Sequence, residues 1–71
     1  MLESDEIIYD LLFGEEEEYS YDLSFLEHIE DYPDFTNPIL KKVNKGRVEI
    51  IKDRVEVSDE GIFWVLKIKR L

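Results

Sequence analysis

The feature that most constrains the fold is a strict alternation of apolar residues in the last ten positions. The alternating set is Ile62, Trp64, Leu66 and Ile68, with Phe63, Val65, Lys67 and Lys69 between them. Because successive side chains of a strand point to opposite faces, this pattern predicts a strand with one core face and a buried Trp64. The preceding residues 58–61, Ser-Asp-Glu-Gly, suit a tight hairpin turn with glycine last.

The segment before this turn also has strand character, but its alternation changes phase. Val48 and Ile50 alternate in one parity, and Val55 and Val57 resume in the other. Either a β-bulge or a separate turn at Lys52-Asp53 would account for the slip; we favour the bulge, because it adds one residue to one strand. Residues 39–43 predict a further strand, and residues 44–46, Asn-Lys-Gly, predict a tight turn.

The first half of the chain has helical spacing instead. Apolar residues at positions 7, 8, 11 and 12 predict a helix over 5–13 that stops before Gly14. Residues 19–25 alternate and predict a short strand. Apolar residues at positions 25, 26, 29 and 32 predict a second helix over 24–32, ended by Pro33, with a loop over 34–38.

Together these elements predict an α+β fold with one domain over residues 1–71. Two short N-terminal helices would pack on a small antiparallel β-sheet, a C-terminal meander or hairpin built mainly from residues 39–71. A chain of 71 residues buries only about 60% of its unfolded surface, and it has no cysteine to form a disulfide. A partner or a second copy could therefore add stability. The sequence shows no membrane span and no signal peptide, so we expect a cytoplasmic protein.

Charge divides the chain into two halves. Residues 1–40 hold thirteen carboxylates and no Lys or Arg, whereas residues 41–71 hold nine bases and five acids. Acidity by itself commonly serves solubility, and that interpretation stays open. Surfaces that serve only solubility usually contain both positive and negative side chains, however. The absence of Lys and Arg from residues 1–40 therefore favours a binding function.

No pattern in the sequence predicts catalysis, a metal or a cofactor. His28 lies among Glu27, Glu30 and Asp31, but on a helix it would project to the flank while the acids spread over the opposite side. The three glycines form no phosphate-binding loop, and no nucleophile lies in a recognisable elbow. We therefore predict a non-catalytic binding protein.

The candidate binding residues are acidic. On the predicted helix Glu27, Glu30 and Asp31 lie opposite the apolar face, and Asp34 continues the row over about 10 Å. One strand of duplex DNA carries about three phosphates in that distance. A second row would be formed by Glu15, Glu16, Glu17 and Glu18. In acidity and size the chain resembles small phage-encoded inhibitors that mimic DNA, although it shares no motif with them. The predicted partner is a basic nucleic-acid-binding protein, with no direct binding to nucleic acid or membrane.

A different surface supports an alternative function. Phe63 and Val65 are apolar but lie on the second face of the last strand, so either a helix covers them or Phe63 is an exposed anchor for association. In the second case the chain would be a small regulatory adaptor that binds a protein through its sheet. A virion or assembly subunit is a third possibility. The bias toward Ile, Lys, Glu and Tyr is common where coding DNA is AT-rich, and it suggests a virus or an AT-rich microbe as the source. A monomer and a homodimer fit the sequence equally.

Overall fold

The computed structural model describes residues 4–44 and 47–71. Along the chain the elements are α1 (Ser4–Phe13), β1 (Glu18–Asp22), a 3₁₀ turn (Ile29–Asp31), α2 (Tyr32–Val43), β2 (Val48–Ser58) and β3 (Gly61–Arg70). The strands form one antiparallel sheet in the order β1-β3-β2. The α+β class is confirmed. The predicted turn at 44–46 reaches residues 45 and 46, which lie outside the described residues.

The first helix and the first strand agree with the prediction. Ile7 and Leu11 are buried on one side of α1, as their helical spacing indicates. In β1 the exposure alternates, with Tyr21 buried between exposed neighbours. The strand is shorter than the predicted 19–25, because the chain turns at residues 24 and 25.

The second helix is not where we predicted it. Residues 24–28 form turns and bends, and α2 covers 32–43, where we expected a loop and a strand. The Asp22 carboxylate accepts hydrogen bonds from the Ser24 amide at 2.8 Å and the Ser24 hydroxyl at 2.5 Å. These bonds form a local turn at residue 24, and the Leu23 amide before it still pairs with the Ile62 carbonyl of β3, so the chain is held to the sheet where the helix was expected to begin.

Pro33 accounts for much of this error. We took it as the end of a helix, but it lies in the first turn of α2. A helix does not use the first amide hydrogens, so proline is tolerated there. Pro38, which we took for a turn residue, lies inside α2. Phe35, Ile39 and Val43 form an apolar stripe with helical spacing. Burial of Ile39 and Val43 in the core favours a helix over the predicted strand in this segment.

The C-terminal hairpin agrees closely with the prediction. Ser58 pairs with Gly61 across the turn, and Gly61 has φ 135°, which non-glycine residues rarely adopt. The register shifts between Ile50 and Lys52. The predicted bulge is thus confirmed, one residue earlier than expected, at Ile51. It brings Val55 and Val57 back to the same face as Ile50.

The core lies between one face of the sheet and the two helices. It contains Trp64, Leu66 and Ile68 of β3, with Ile7 and Leu11 of α1, Ile39 and Val43 of α2, and Tyr21, Leu23 and Val48. Trp64 is fully buried, as predicted. Phe63 and Val65 point to the other face of β3. Both helices belong to the cluster around Trp64, so the expectation that a helix covers Phe63 is wrong.

Candidate functional site

The run Glu15 to Glu18 lies beside cations. Glu18 is the first residue of β1 and stands opposite Lys67 of β3. The Arg70 guanidinium donates to the Glu16 carbonyl, and Glu15 and Glu17 line a shallow depression whose other side contains Lys67 and Lys69. All four glutamates are exposed, but their surroundings are mixed in sign. The predicted unmixed acidic row is therefore not formed here.

A hydrogen-bond network ties this end of the molecule together. The Tyr19 hydroxyl donates to the Asp10 carbonyl at 3.1 Å and accepts from Arg70 Nη2 at 3.0 Å. Arg70 Nη2 also donates to the Asp10 carbonyl at 3.2 Å, which places a cation near the C-terminal end of α1, where the helix dipole favours it. Tyr21 donates to the Asp10 carboxylate at 3.3 Å. Burial, followed by the nearby Asp10 charge, raises the pKa of Tyr21.

The second predicted group does not form a helical row. Glu27 lies in a bend, Glu30 and Asp31 lie in the 3₁₀ turn, and Asp34 lies in the first turn of α2. All four are exposed. The prediction of one anionic helix face is wrong because the helix starts at residue 32. Glu30, Asp31 and Asp34 instead lie at the N-terminal end of α2, and Glu27 lies in the bend that precedes the 3₁₀ turn.

The fold adds further carboxylates to this group. The Leu23 amide donates to the Ile62 carbonyl at 2.7 Å, which joins the end of β1 to the hairpin. The Phe25 and Phe35 rings pack at 5.3 Å and hold the intervening turn against α2. We call the resulting surface the acidic end; it comprises Asp22, Glu27, Glu30, Asp31, Asp34, Asp53, Glu56, Asp59 and Glu60.

The acidic end is nearly unmixed. Among the described residues Arg54 is its one Lys or Arg, and Arg54 Nη2 lies 2.5 Å from Glu56 Oε1. Asp53 is also engaged, because it accepts from Trp64 Nε1 at 2.6 Å and from the Tyr32 hydroxyl. Within residues 4–44 and 47–71, the Arg54–Glu56 pair is the one ion pair that involves these carboxylates. Lys67, Lys69 and Arg70 lie toward the opposite end of β3, where Arg70 pairs with Val48.

Phe63 belongs to the acidic end. It is half-buried on the open face of the sheet, and its cross-strand neighbours are Asp22 on β1 and Glu56 on β2. The predicted aromatic anchor and the predicted acids at 27–34 therefore lie at one end, while Glu15 to Glu18 lie at the other. Val65 is only 7% exposed, because strands flank it on both sides.

Several of these residues were missed in the sequence. Asp22 and Glu56 reach the acidic end through strand pairing, which no local pattern encodes. Asp59 and Glu60 lie in the hairpin turn, which the sequence did predict. An aromatic pair on α1 was also missed. Tyr9 and Phe13 are 64% and 58% exposed, with ring centroids 5.3 Å apart. Their spacing of four residues, away from Ile7 and Leu11, could have indicated it.

The ranges that the structure describes contain no cluster of candidate metal ligands. His28 is exposed, and residues 4–44 and 47–71 contain no group of three or more His, Asp or Glu placed to hold a metal ion. No helix within those ranges is long and apolar enough to cross a bilayer. Comparison with protein-family models, curated proteins and solved structures finds no significant match. Function is therefore inferred from geometry and charge alone.

Proposed function

We propose that this chain is a non-catalytic, cytoplasmic binding protein whose acidic end occupies the nucleic-acid site of a basic protein. The observation that carries the proposal is the set of carboxylates on β1, β2, the 3₁₀ turn and α2, among which Arg54 is the one cation in the part of the chain that the structure describes, and Arg54 is already paired with Glu56. Such a surface attracts Lys and Arg side chains that otherwise contact phosphates. The chain would then inhibit its partner by competition.

The acidic end is a patch and not a line of charge. Neighbouring strands lie about 4.8 Å apart, so Asp22 and Glu56, on the two strands that flank β3, are separated by about 10 Å. Charges within about 8–10 Å of each other act together at physiological ionic strength. The patch therefore produces a joint negative field, and its affinity for a basic groove should fall as salt increases.

A competition experiment tests the proposal. The tagged protein is used to isolate its partner at low salt, and the complex is then titrated with duplex DNA and with RNA. We expect nucleic acid to displace the protein, and the protein itself to bind neither. A partner that binds nucleic acid and the protein simultaneously would contradict the proposal.

Charge-reversal variants locate the binding surface. The triple variant Glu27→Lys, Glu30→Lys, Asp31→Lys should lose binding, while its fold is retained because these side chains are exposed. The matched control, Glu15→Lys, Glu16→Lys, Glu17→Lys, changes the net charge by the same amount at the mixed end. It should bind much more tightly than the first variant. Equal loss in both would show that only net charge matters.

The open sheet face supports a second candidate function. Neither helix packs on Phe63, so an adaptor could use it as an anchor for a protein partner. Phe63→Ala separates the two functions. If it abolishes binding while the acidic-end variant binds normally, and if binding is insensitive to salt, the adaptor function replaces competition with nucleic acid.

A further inference from the structure

The outer edge of β2 is the longest open strand edge that the structure describes. β2 has eleven residues and pairs with β3 on one side, while β1 occupies the other side of β3. Within residues 4–44 and 47–71 no strand pairs with the second edge of β2. Residues 51–58 of this strand are exposed except Val55, which is half-buried.

One hydrogen bond between β1 and β3 shows which backbone N–H and C=O groups of β2 point away from β3. The Leu23 amide donates to the Ile62 carbonyl at 2.7 Å, so the backbone of Ile62 faces β1. Ile62 is also the cross-strand partner of Val57, and this pair is therefore of the non-hydrogen-bonded type. The N–H and C=O of Val57 point away from β3. The register is unbroken from Lys52 to Ser58, so alternation gives Val55 and Asp53 the same outward direction.

We infer that this edge pairs with β2 of a second copy of the chain, antiparallel, with Val55 opposite Val55. Asp53 of each copy then stands opposite Val57 of the other. Each of these pairs uses backbone groups that point outward in both copies, and so exchanges both N–H···O=C bonds. The contact is isologous and closes as a symmetric dimer.

Charge complements this register. With Val55 at the centre, Arg54 stands opposite Glu56 of the second copy, and the same pair occurs twice. These are non-hydrogen-bonded positions, where cross-strand side chains are closest. A centre at Asp53, Arg54 or Glu56 would place that residue opposite its own copy, which brings like charges together. Arg54 and Glu56 already lie on one face, 2.5 Å apart within the chain, with 57% and 49% of their side chains exposed.

The same register covers apolar surface. Val57 is 65% exposed and lies, with Val55, on the face that carries the helices. Pairing would continue the helix-covered face of the sheet into the second copy. It would bury additional apolar surface in a chain that is too short to bury much of its own. Open edges are often protected by charges or bulges. Here the bulge at Ile51 lies outside the segment 53–57, and the charges within the segment complement each other.

Sedimentation equilibrium of the whole chain over a wide concentration range tests the inference. We expect a monomer–dimer equilibrium, and no higher species. Arg54→Glu and Glu56→Arg should each weaken the dimer about tenfold, because each creates two like-charge pairs worth several tenths of a kcal/mol or more. The double variant Arg54→Glu, Glu56→Arg should restore it.

Two matched controls separate pairing from net charge. Lys52→Glu changes the charge of β2 as Arg54→Glu does, but position 52 faces Ser58 of the second copy. Glu49→Lys makes the same change of charge in β2 as Glu56→Arg does, but position 49 lies outside the paired segment 53–57. Both should leave the dimer within about twofold of the wild type, since neither creates a like-charge pair in this register. Weakening by either control equal to that of its test variant overturns the inference.

Hydrogen exchange gives a readout that does not depend on variants. The amides of Asp53, Val55 and Val57 should exchange rapidly in dilute protein and become protected as the concentration rises, whereas Arg54 and Glu56, which bond to β3, should be protected throughout. Val57→Pro removes one outward amide on an edge position that tolerates proline, and should weaken the dimer. A wild type that stays monomeric at every concentration, or a dimer without this alternation, contradicts the inference.

Discussion

A hydrogen bond between Trp64 and Asp53 links the buried core to an exposed carboxylate. Trp64 is fully buried and its ring contacts the rings of Tyr21, Tyr32 and Phe35 at centroid distances of 5.9 to 6.1 Å. Its indole N–H needs an acceptor, and Asp53 provides one at 2.6 Å. Asp53 can do so because the bulge at Ile51 turns it toward the helix-covered face of the sheet.

Trp64→Ala should destabilise the protein by about 3–5 kcal/mol, because it removes a large buried ring and leaves a cavity. Stability measured by urea titration and far-UV circular dichroism should show a domain that is largely unfolded without denaturant. Val57→Ala, at an exposed position, should change stability little. A Trp64→Ala variant as stable as the wild type would contradict the burial described here.

Tyr21 predicts a decline in stability at alkaline pH. Burial first, and then the Asp10 charge, raise its pKa above the ordinary value of 10.0. The folded state therefore favours the neutral hydroxyl, and this contribution is complete below the unfolded pKa and is lost as the pH rises above it. Tyr21→Phe cannot ionise, so its melting temperature should fall less than that of the wild type between about pH 9 and pH 11. Tyr9→Phe, at an exposed position, should follow the wild-type profile.

At the scale of elements, the strands could be predicted and the second helix could not. The alternation in β3, the glycine at position 61 and the phase change in β2 each have one simple structural explanation. A proline has more than one structural explanation, because it can end a helix, and it can also lie in the first turn of one, as Pro33 does. Burial of Ile39 and Val43 against the sheet selects the helix, and that contact is absent from any local window. The acidic end depends on strand pairing between distant residues for the same reason.

Pro38 makes α2 less stable than its length allows. It lies in the helix interior and has no amide hydrogen to donate to the Asp34 carbonyl. Pro38→Ala should therefore stabilise the protein, by about 1–3 kcal/mol, as measured by urea titration. Pro33→Ala is the matched control, and it should give no comparable gain because the first turn does not use that hydrogen. Equal gains at both positions would contradict this role for Pro38.

The whole molecule separates its charges along the strand direction. Carboxylates gather at the hairpin end, and Lys67, Lys69 and Arg70 lie toward the other end with Glu15 to Glu18. Repulsion within the acidic end opposes folding, because the unfolded chain can spread the same charges apart. The spatial division differs from the division in the sequence: the acidic end takes carboxylates from both halves of the chain, whereas Glu15 to Glu18, Asp10 and Glu49 lie near Lys67, Lys69 and Arg70.

Added salt should stabilise the protein at neutral pH. Screening at about 0.1–0.2 M NaCl shortens the range of repulsion to about 8–10 Å, so the melting temperature should rise from its value at low salt. The variant Glu27→Gln, Glu30→Gln, Asp31→Asn should melt higher at low salt and respond less to added salt. A melting temperature that falls with NaCl would indicate that attraction between the two signs dominates.

The strand order has a consequence for synthesis of the chain. β3 lies between β1 and β2, yet it follows both in the sequence. During translation β1 and β2 therefore leave the ribosome before the strand that joins them, and the sheet cannot assemble until residues 61–70 are available. In that interval the nascent chain exposes apolar residues that will later form the core. Thirteen carboxylates in its first forty residues give this segment a high net negative charge, which favours its solubility during that interval.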